Sequence, residues 1–241
     1  MADEIWLCWS SGKDSAWTLR ALQHDPLVRV TTLVTTVNAA FDRVAMHAVR
    51  KTLVEQQAAA AGLELVLVEI PWPCTNEQYE AAMADLVSQA REAGVTQMAF
   101  GDLFLEDVRQ YREKMLADTG IEPRFPIWGR DTRELAEEMV ANGLEAVVTC
   151  IDPKVLGSEW AGRRFDSEFL ASLPADIDPC GERGEFHTFT HAGPMFDAPI
   201  PIETGEVVER DGFVFADVLP ANGAGRNHDV PLEEKPACSS Q

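Results

Sequence analysis

Apolar residues in the first half of the chain form short continuous runs that alternate with stretches of helical periodicity. The runs are rich in Val, Ile, Leu and Thr, which is typical of buried strands, and they cover 5–8, 28–37, 63–70 and 95–100. The stretches between them predict helices over 16–23, 44–61, 76–93 and 105–118. Short links between successive strands and helices predict an α/β fold with a mainly parallel, five-stranded-type sheet and helices on both faces.

Residues at the helix ends support this division. Thr75 and Gln78 have the spacing of a capping box, and Gly62 follows the second helix directly. A helix that starts near residue 44 would place Arg43 and His47, four residues apart, on one face. Both a solvated surface pair and a functional pair remain open for these two side chains.

The pattern changes after residue 121. A proline-rich passage at 122–129 suits a crossing between domains, and we predict a boundary near residue 128. The second part is expected to form a smaller α+β domain at 129–220. Residues 221–241 are rich in Gly, Asn, Pro, Glu and Ser and are predicted to be disordered. The elements predicted for the second part are a helix from Asp131 to 143, a strand at 144–151, a helix at 166–173 and a hairpin over 207–218 around Asp211-Gly212.

The first strand leads into a helix through W-S-S-G-K-D-S at residues 9–15, which predicts a phosphate-binding loop. Backbone N–H groups and the positive end of the helix dipole point to one spot there, and Lys13 adds a full charge on an exposed loop. A Walker A loop would need glycine at position 7, which is Leu7. The loop is therefore expected to bind polyphosphate, but not as a Walker A motif.

Polar and small residues also follow two other predicted strands. Thr36 lies at the end of the second strand, and Gly101 and Asp102 follow the fourth. Ligands of open parallel sheets bind at the carboxyl ends of the strands. We therefore expect these residues to share one crevice with the phosphate loop.

Composition limits the partners. The 241 residues include 40 acidic and 20 basic side chains, giving a formal net charge of −20, which opposes sequence-independent binding to nucleic acid or anionic membranes. The same excess could serve solubility alone. Five cysteines without a C-x-x-C pair indicate a reducing compartment. The acidic N-terminus and the lack of a long apolar run lead us to expect a soluble, cytoplasmic protein without membrane contact.

Four motifs resemble, in the same order, those of the diphthine–ammonia ligase family of PP-loop ATP pyrophosphatases. They are S-S-G-K-D-S in the loop, G-D-L-F-L-E-D-V-R-Q-Y-R-E at 101–113, P-I-W-G-R at 126–130 and C-G-E-R-G-E-F-H-T at 180–188. The resemblance implies a Rossmann-like, PP-loop ATP-binding domain at 1–128 and a substrate-binding domain at 129–220. It also implies ATP-dependent amidation of diphthine on translation elongation factor 2. Ser11 departs from the family pattern, which usually has glycine there.

The resemblance also implies roles for single residues. Asp14 would help to place Mg²⁺ beside the phosphates of ATP, and Arg109 and Arg112 would face the crevice. Surface salt bridges of these arginines with Glu106 and Glu113 are the alternative. The residues expected to bind ATP are Ser10, Ser11, Gly12, Lys13, Asp14, Ser15, Thr36, Gly101 and Asp102. The residues expected to be catalytic are Lys13, Asp14, Arg109, Glu182, Glu185 and His187.

The motif at 180–188 is the expected acceptor site. Its two glycines indicate an unusual backbone path, and Glu185 and His187 would project from the same face if a strand begins there. With Glu182, they would orient or deprotonate an amine or a carboxylate. A glycine turn before an ordinary strand is the alternative, and a zinc site of Cys180, His187 and His191 matches no common ligand spacing.

The sequence thus predicts an ATP-dependent amide ligase that adenylates a carboxylate, releases pyrophosphate and AMP, and uses ammonia as acceptor. The carboxylate belongs to a small acid or, in an archaeal or eukaryotic cell, to diphthine on elongation factor 2. Two other classes remain open. One is a tRNA-modifying PP-loop enzyme, which the negative net charge of the chain disfavours. The other is a nucleotide-binding sensor without turnover. The chain could also form a homodimer.

Overall fold

The alternating strands and helices of the first half build one mainly parallel sheet. The computed structural model describes residues 2–44 and 47–221. The strands of this sheet are β1 (Asp3–Cys8), β2 (Val28–Asn38), β3 (Arg43–Val44), β4 (Glu64–Ile70), β5 (Gln97–Ala99) and β6 (Glu122–Arg124). Five of them run parallel in the order β4-β2-β1-β5-β6. The predicted α/β fold class is confirmed.

Helices follow the strands as the periodicity predicts. They are α1 (Lys13–Gln23), α2 (Lys51–Ala61), α3 (Asn76–Glu92), α4 (Glu106–Leu116), α5 (Thr132–Ala141) and α6 (Ser167–Ser172), with a 3-10 turn at Ser158–Trp160. Both hydrogen bonds of the capping box between Thr75 and Gln78 are present. Gly62 ends α2 in the left-handed conformation, with φ 66°. None of the helices in the described ranges is long and apolar enough to cross a membrane.

The helix predicted over 44–61 starts later than expected. Residues Arg43–Val44 instead pair antiparallel with the end of β2, and the chain returns through a hydrogen bond from Val44 N–H to Val49 O of 2.8 Å. Asp42 and Ala48 have positive φ angles of 51° and 54°, and this conformation interrupts a right-handed helix. The prediction that Arg43 and His47 share a helix face was therefore wrong.

The turn after β3 is accompanied by ion pairs with a residue from the second half of the chain. The Arg43 guanidinium is buried and lies 3.0 Å from Asp217 Oδ1, and Arg50 contacts the other oxygen of the same carboxylate. Asp217 is 174 residues away from Arg43 along the chain. Apolar periodicity between 44 and 61 contains no information on such a partner, so it could not indicate the turn.

The proline-rich passage after residue 121 also differs from the prediction. Residues Glu122–Arg124 form β6, the fifth parallel strand, which pairs with β5 alone. Pro123 is tolerated there because an edge strand can lack a hydrogen-bond donor. The domain crossing is therefore shorter than expected, and the boundary near residue 128 stays a prediction.

The second half forms an antiparallel sheet. Its strands are β7 (Glu145–Ile151), β8 (Arg164–Phe165), β9 (Phe186–Ala192), β10 (Ile202–Arg210) and β11 (Phe213–Pro220). The order is β10-β11-β7-β8, with β9 also paired to β7. The hairpin around Asp211-Gly212 is present, and both turn residues have positive φ. The disorder predicted for 222–241 concerns residues outside the described ranges.

One hydrophobic cluster joins the two sheets. It contains Leu7 of β1 and Leu19 of α1 together with Val148 of β7 and Phe189 of β9, all of them fully buried. Close packing of this kind holds the faces on either side of it in one arrangement. The carboxyl ends of the parallel strands consequently face β9 and the segment before it across a cleft.

Candidate functional site

A cavity of about 290 Å³ lies in this cleft. The parallel sheet, the phosphate loop and the segment that leads into β9 all contribute to its wall. The predicted residues on the wall are Ser10, Lys13, Asp14, Ser15, Thr36, Gly101, Asp102, Glu182 and His187. The structure thus brings together most of the predicted nucleotide and acceptor residues. Ser11, Gly12, Arg109 and Glu185 do not line this cavity.

Glycine is required at two points where chains approach the phosphate loop. A Cβ atom on Gly12 would lie 3.0 Å from His47 Cε1 and 3.2 Å from the Thr188 carbonyl oxygen. A Cβ atom on Gly101 would lie 3.1 Å from the backbone of Asp14 and Ser15. All of these distances are shorter than ordinary van der Waals contacts. The loop is therefore enclosed by the parallel sheet on one side and by β9 on the other.

Lys13 is more buried than the sequence predicted. Its side chain was expected on an exposed loop but is only 2% exposed. The ammonium lies 2.8 Å from Asp14 Oδ2, donates to the Cys180 carbonyl oxygen and lies 5.3 Å from the centre of the Phe186 ring. Burial disfavours the charged form, but the nearby Asp14, Cys180 and Glu182 together outweigh it and raise the pKa of Lys13. The cation therefore persists at neutral pH.

Three buried polar atoms around the cavity have no hydrogen-bond partner in the described part of the chain. They are Asp14 Oδ1, Asp102 Oδ2 and Arg112 Nε. The latter two atoms are 3.8 Å apart, too far for a hydrogen bond. Burial raises the pKa of the Asp102 carboxyl, although the Arg112 charge opposes the shift. Buried polar groups in proteins are nearly always paired, so three orphans at one cavity indicate a site for a polar ligand.

Glu182 connects the two halves of the site. Its Oε1 atom accepts a hydrogen bond of 2.7 Å from the Leu103 N–H group, in the loop after β5. Burial raises the pKa of Glu182 to about 7, while the Leu103 N–H group opposes the shift and the Asp14 charge adds to it. A carboxyl group with this pKa can accept or donate a proton near neutral pH, as general acid–base catalysis requires.

Two imidazoles, His47 from the first half of the chain and His187 from β9, lie side by side on the cavity wall. The ring centres of His47 and His187 are 4.6 Å apart, and His47 Nδ1 is 3.2 Å from the Thr188 carbonyl oxygen. Burial lowers the pKa of His47 to about 4 and that of His187 well below its usual value. Both rings are therefore neutral at pH 7. Sequence reasoning missed the position of His47, because a turn and not a helix brings it to the cavity.

Comparison with known protein families identifies the family of this chain. A model of the diphthamide synthase N-terminal domain matches residues 4–123, and a model of the diphthamide synthase C-terminal domain matches residues 131–216. The chain belongs to the diphthamide synthase family.

Curated relatives agree with this assignment. A diphthine–ammonia ligase of Rattus norvegicus is 28% identical over 137 residues, which are 54% of this chain and 50% of the relative. Another from Danio rerio is 28% identical over 152 residues, or 61% of this chain and 59% of the relative. The chain thus spans about half the length of the curated relatives it matches. The activity of these relatives is therefore attributed to this chain as a proposal.

Arg109 does not reach the cavity in this family member. Its guanidinium lies 5.0 Å from the centre of the Phe125 ring and 4.9 Å from that of Trp128, and its Nε atom lies 2.8 Å from Glu113 Oε1. This is the i,i+4 salt bridge that the sequence left as the alternative. Arg112, one turn further along α4, lines the cavity instead. The catalytic role expected of Arg109 stays a prediction, and this placement does not support it.

Glu185 also lies away from the cavity. Its side chain is buried, and its carboxylate accepts hydrogen bonds from Asp178 N–H at 3.2 Å and Arg183 N–H at 2.9 Å. These donors belong to the turns before β9, where backbone N–H groups have no strand partner. The carboxylate satisfies them and does not line the cavity, so the expected contact of Glu185 with the acid or ammonia stays a prediction that this arrangement does not favour.

We expect replacement of Glu185 by Ala to lower the free energy of unfolding by about 2 kcal/mol or more, because two backbone N–H groups lose their acceptor. Urea denaturation measures this change. The control is Glu168→Ala, at an exposed position of α6, which should leave stability nearly unchanged. Unaltered stability combined with lost activity would support the original acceptor role.

Proposed function

We propose that this chain is an ATP-dependent amide ligase that joins a carboxylate to ammonia and releases AMP and pyrophosphate. The observation that carries the proposal is the single cavity shared by the phosphate loop and Glu182, with unpartnered polar atoms on its wall. The family supports it, and so does the name diphthine–ammonia ligase of the relatives. The acceptor is then diphthine or a smaller acid.

The first step takes place on the side of the parallel sheet. A carboxylate oxygen of the acid attacks the α-phosphorus of ATP, and the bond from that phosphorus to the bridging oxygen breaks, so that pyrophosphate leaves. Lys13 and the N-terminal N–H groups of α1 neutralise the charge that develops on the leaving group. Ser10 and Ser15, whose hydroxyls are 3.3 Å apart, line the same region.

The second step takes place beside Glu182. The nitrogen of ammonia attacks the carbonyl carbon, the bond to the AMP oxygen breaks, and an amide forms. Glu182 accepts the proton that the nitrogen loses, which its pKa of about 7 allows. His187 contacts the reacting groups as a neutral imidazole and so does not repel an ammonium ion approaching from solution.

Asp14 would hold Mg²⁺ together with phosphate oxygens of the nucleotide, and the ion would neutralise charge on those phosphates. The free Oδ1 atom of Asp14 fits this role. Across residues 2–44 and 47–221, no group of three His, Cys, Asp or Glu side chains could hold a metal ion alone. This fits an ion that takes most of its ligands from phosphate and water, and it does not support the zinc alternative.

We further propose a PP-loop ATP-binding domain up to about residue 128 and a substrate-binding domain at 129–220. The two family models meet between residues 123 and 131, on either side of this boundary. The first domain supplies the phosphate loop and the second supplies Glu182 and His187. We also propose a cytoplasmic location, where ATP is available.

Incubation with ATP, Mg²⁺, ammonia and a candidate acid, followed by ³¹P NMR and mass spectrometry, tests the function. AMP, pyrophosphate and an amide should appear, and AMP should require the acid. Formation of ADP would contradict the mechanism. Bound ATP without any turnover would indicate a sensor, and AMP formation that requires tRNA would indicate a tRNA-modifying enzyme.

Replacement of His187 by Ala should leave the Kd for ATP near the wild-type value and stop amide formation, because in this proposal the ring contacts the acceptor and not the phosphates. Calorimetry and the amide assay measure the two effects. The control is His24→Ala, because the His24 ring is exposed and lies within hydrogen-bond distance of the Arg20 carbonyl oxygen of α1. Circular dichroism must show that the variant is folded. Normal turnover would favour the alternative interpretation of residues 180–188, a glycine turn before an ordinary strand.

A further inference from the structure

Ser11 adopts an unusual backbone conformation in the phosphate loop. Its φ angle is 70°, in the left-handed region that glycine adopts freely and other residues adopt only with support. Ser11 lies directly before Gly12, which is the N-cap of α1. Its φ angle therefore sets the direction in which α1 begins.

The support comes through the carbonyl group of Ser11. Its oxygen accepts hydrogen bonds from Gln57 Nε2 at 3.0 Å and from Thr190 N–H at 3.0 Å. The Ser11 hydroxyl, in contrast, is buried and has no hydrogen-bond partner among the residues that the structure describes. The side chain of Ser11 therefore does not stabilise the left-handed conformation, and the two carbonyl contacts do.

Gln57 is fully buried on α2, and its amide bonds to three parts of the fold. Its Oε1 atom accepts from Trp9 Nε1 at 2.7 Å, and its Nε2 atom donates to Ser11 O and to Thr190 O, the latter at 2.6 Å. Only an amide side chain offers an acceptor and two donors in this geometry. Gln57 thus connects the end of β1, the phosphate loop and β9.

We propose that Gln57 is a positioning residue for the nucleotide site: it holds Ser11 in the left-handed conformation that directs the start of α1 towards the cavity. This inference rests on the proposed function, and it assigns a role to a side chain that does not line the cavity. A glycine at position 11 would need no such support. Ser11 and Gln57 therefore act as a pair.

The pair gives a rescue test. Gln57→Met keeps the length of the side chain and removes its hydrogen bonds, so the Kd for ATP is expected to rise on the order of tenfold, the factor that about 1.4 kcal/mol of backbone strain produces. Adding Ser11→Gly should return the Kd to within about threefold of the Ser11→Gly single variant, because glycine adopts positive φ freely. Adding Ser11→Ala to Gln57→Met should leave the Kd raised, because alanine has the same backbone restriction as serine.

Matched controls separate positioning from packing. Gln56→Met makes the same substitution at the neighbouring, half-buried position of α2 and should leave the Kd unchanged. The melting temperature should fall in Gln57→Met and stay low in the glycine double variant, since the buried bonds to Trp9 and Thr190 remain broken. An unchanged Kd in Gln57→Met, or rescue by alanine as complete as rescue by glycine, would overturn the inference.

Amide hydrogen exchange tests the positioning role of Gln57 in the absence of nucleotide. The Lys13 N–H group donates to Thr188 Oγ1 at 3.1 Å, so its exchange rate reports the order of the loop. Exchange should be faster in Gln57→Met and return towards the wild-type rate with glycine at position 11, but not with alanine. Wild-type protein that bound no ATP would contradict the proposed function alone, and the exchange rates would still test the role of Gln57.

Discussion

Protein with Lys13 replaced by Met is expected to form no detectable AMP or pyrophosphate and to bind ATP on the order of a hundredfold more weakly. The substitution keeps the volume of the buried stem and removes the charge that faces the phosphates. Calorimetry with ATP and the pyrophosphate assay measure the two effects. The more drastic Lys13→Ala should act in the same direction. An unchanged affinity for ATP would contradict the assignment of the phosphate loop.

The stability of this variant needs its own control. Lys13 is 2% exposed and Asp14 is 24% exposed, so the variant leaves a largely buried carboxylate without its cation. Breaking a buried pair on one side costs about 3 kcal/mol or more. Adding Asp14→Asn should recover much of this stability and none of the ATP binding. Recovery of both would show that Lys13 acts on the fold and not on the nucleotide.

Replacement of Glu182 by Gln is expected to reduce amide formation about 100-fold to 10,000-fold while the Kd for ATP stays within a few-fold of wild type. The Gln amide oxygen can still accept the Leu103 N–H group, so the loop after β5 keeps its contact. In wild-type protein, kcat/KM calculated per concentration of unprotonated ammonia should rise with pH through about 7, where Glu182 loses its proton. The variant should lack this rise.

The contribution of Glu182 to stability should change with pH in the direction opposite to kcat/KM, and this difference serves as a control. Burial raises the pKa of Glu182 from 4.5 to about 7 in the folded protein, so the folded state binds this proton more tightly than the unfolded state. Its contribution to stability is present below about pH 4.5 and is lost as the pH rises through about 7. Wild-type activity should therefore increase where this contribution declines, and Glu182→Gln should be relatively more stable above pH 7.

Loss of ATP binding together with a lower melting temperature in Glu182→Gln would contradict this account. Glu182 would then be a structural contact between its own segment and the loop at Leu103. The Glu185→Ala variant provides a comparison, because the Glu185 carboxylate accepts from two backbone N–H groups of its own segment and lies 3.9 Å from the Arg183 guanidinium.

Much of the fold follows from local pattern. The strands alternate with helices in the first half, Thr75 and Gln78 cap α3, and Gly62 ends α2, as their residue types predict. The convergence of the phosphate loop with Asp102 also follows, because parallel strands direct their carboxyl ends to one edge. These features depend on neighbouring residues and on the handedness of the connections, which a single sequence contains.

The sequence by itself therefore determined the fold class, the place of the phosphate loop and its convergence with Thr36, Gly101 and Asp102. Only the tertiary structure decided what each side chain does there. Lys13 bonds to Cys180, 167 positions away, and the Gly12 backbone lies against His47, while Glu185 turns to its own loop. Burial and the choice of hydrogen-bond partner depend on contacts between distant segments, and such contacts are formed only when the two sheets pack together.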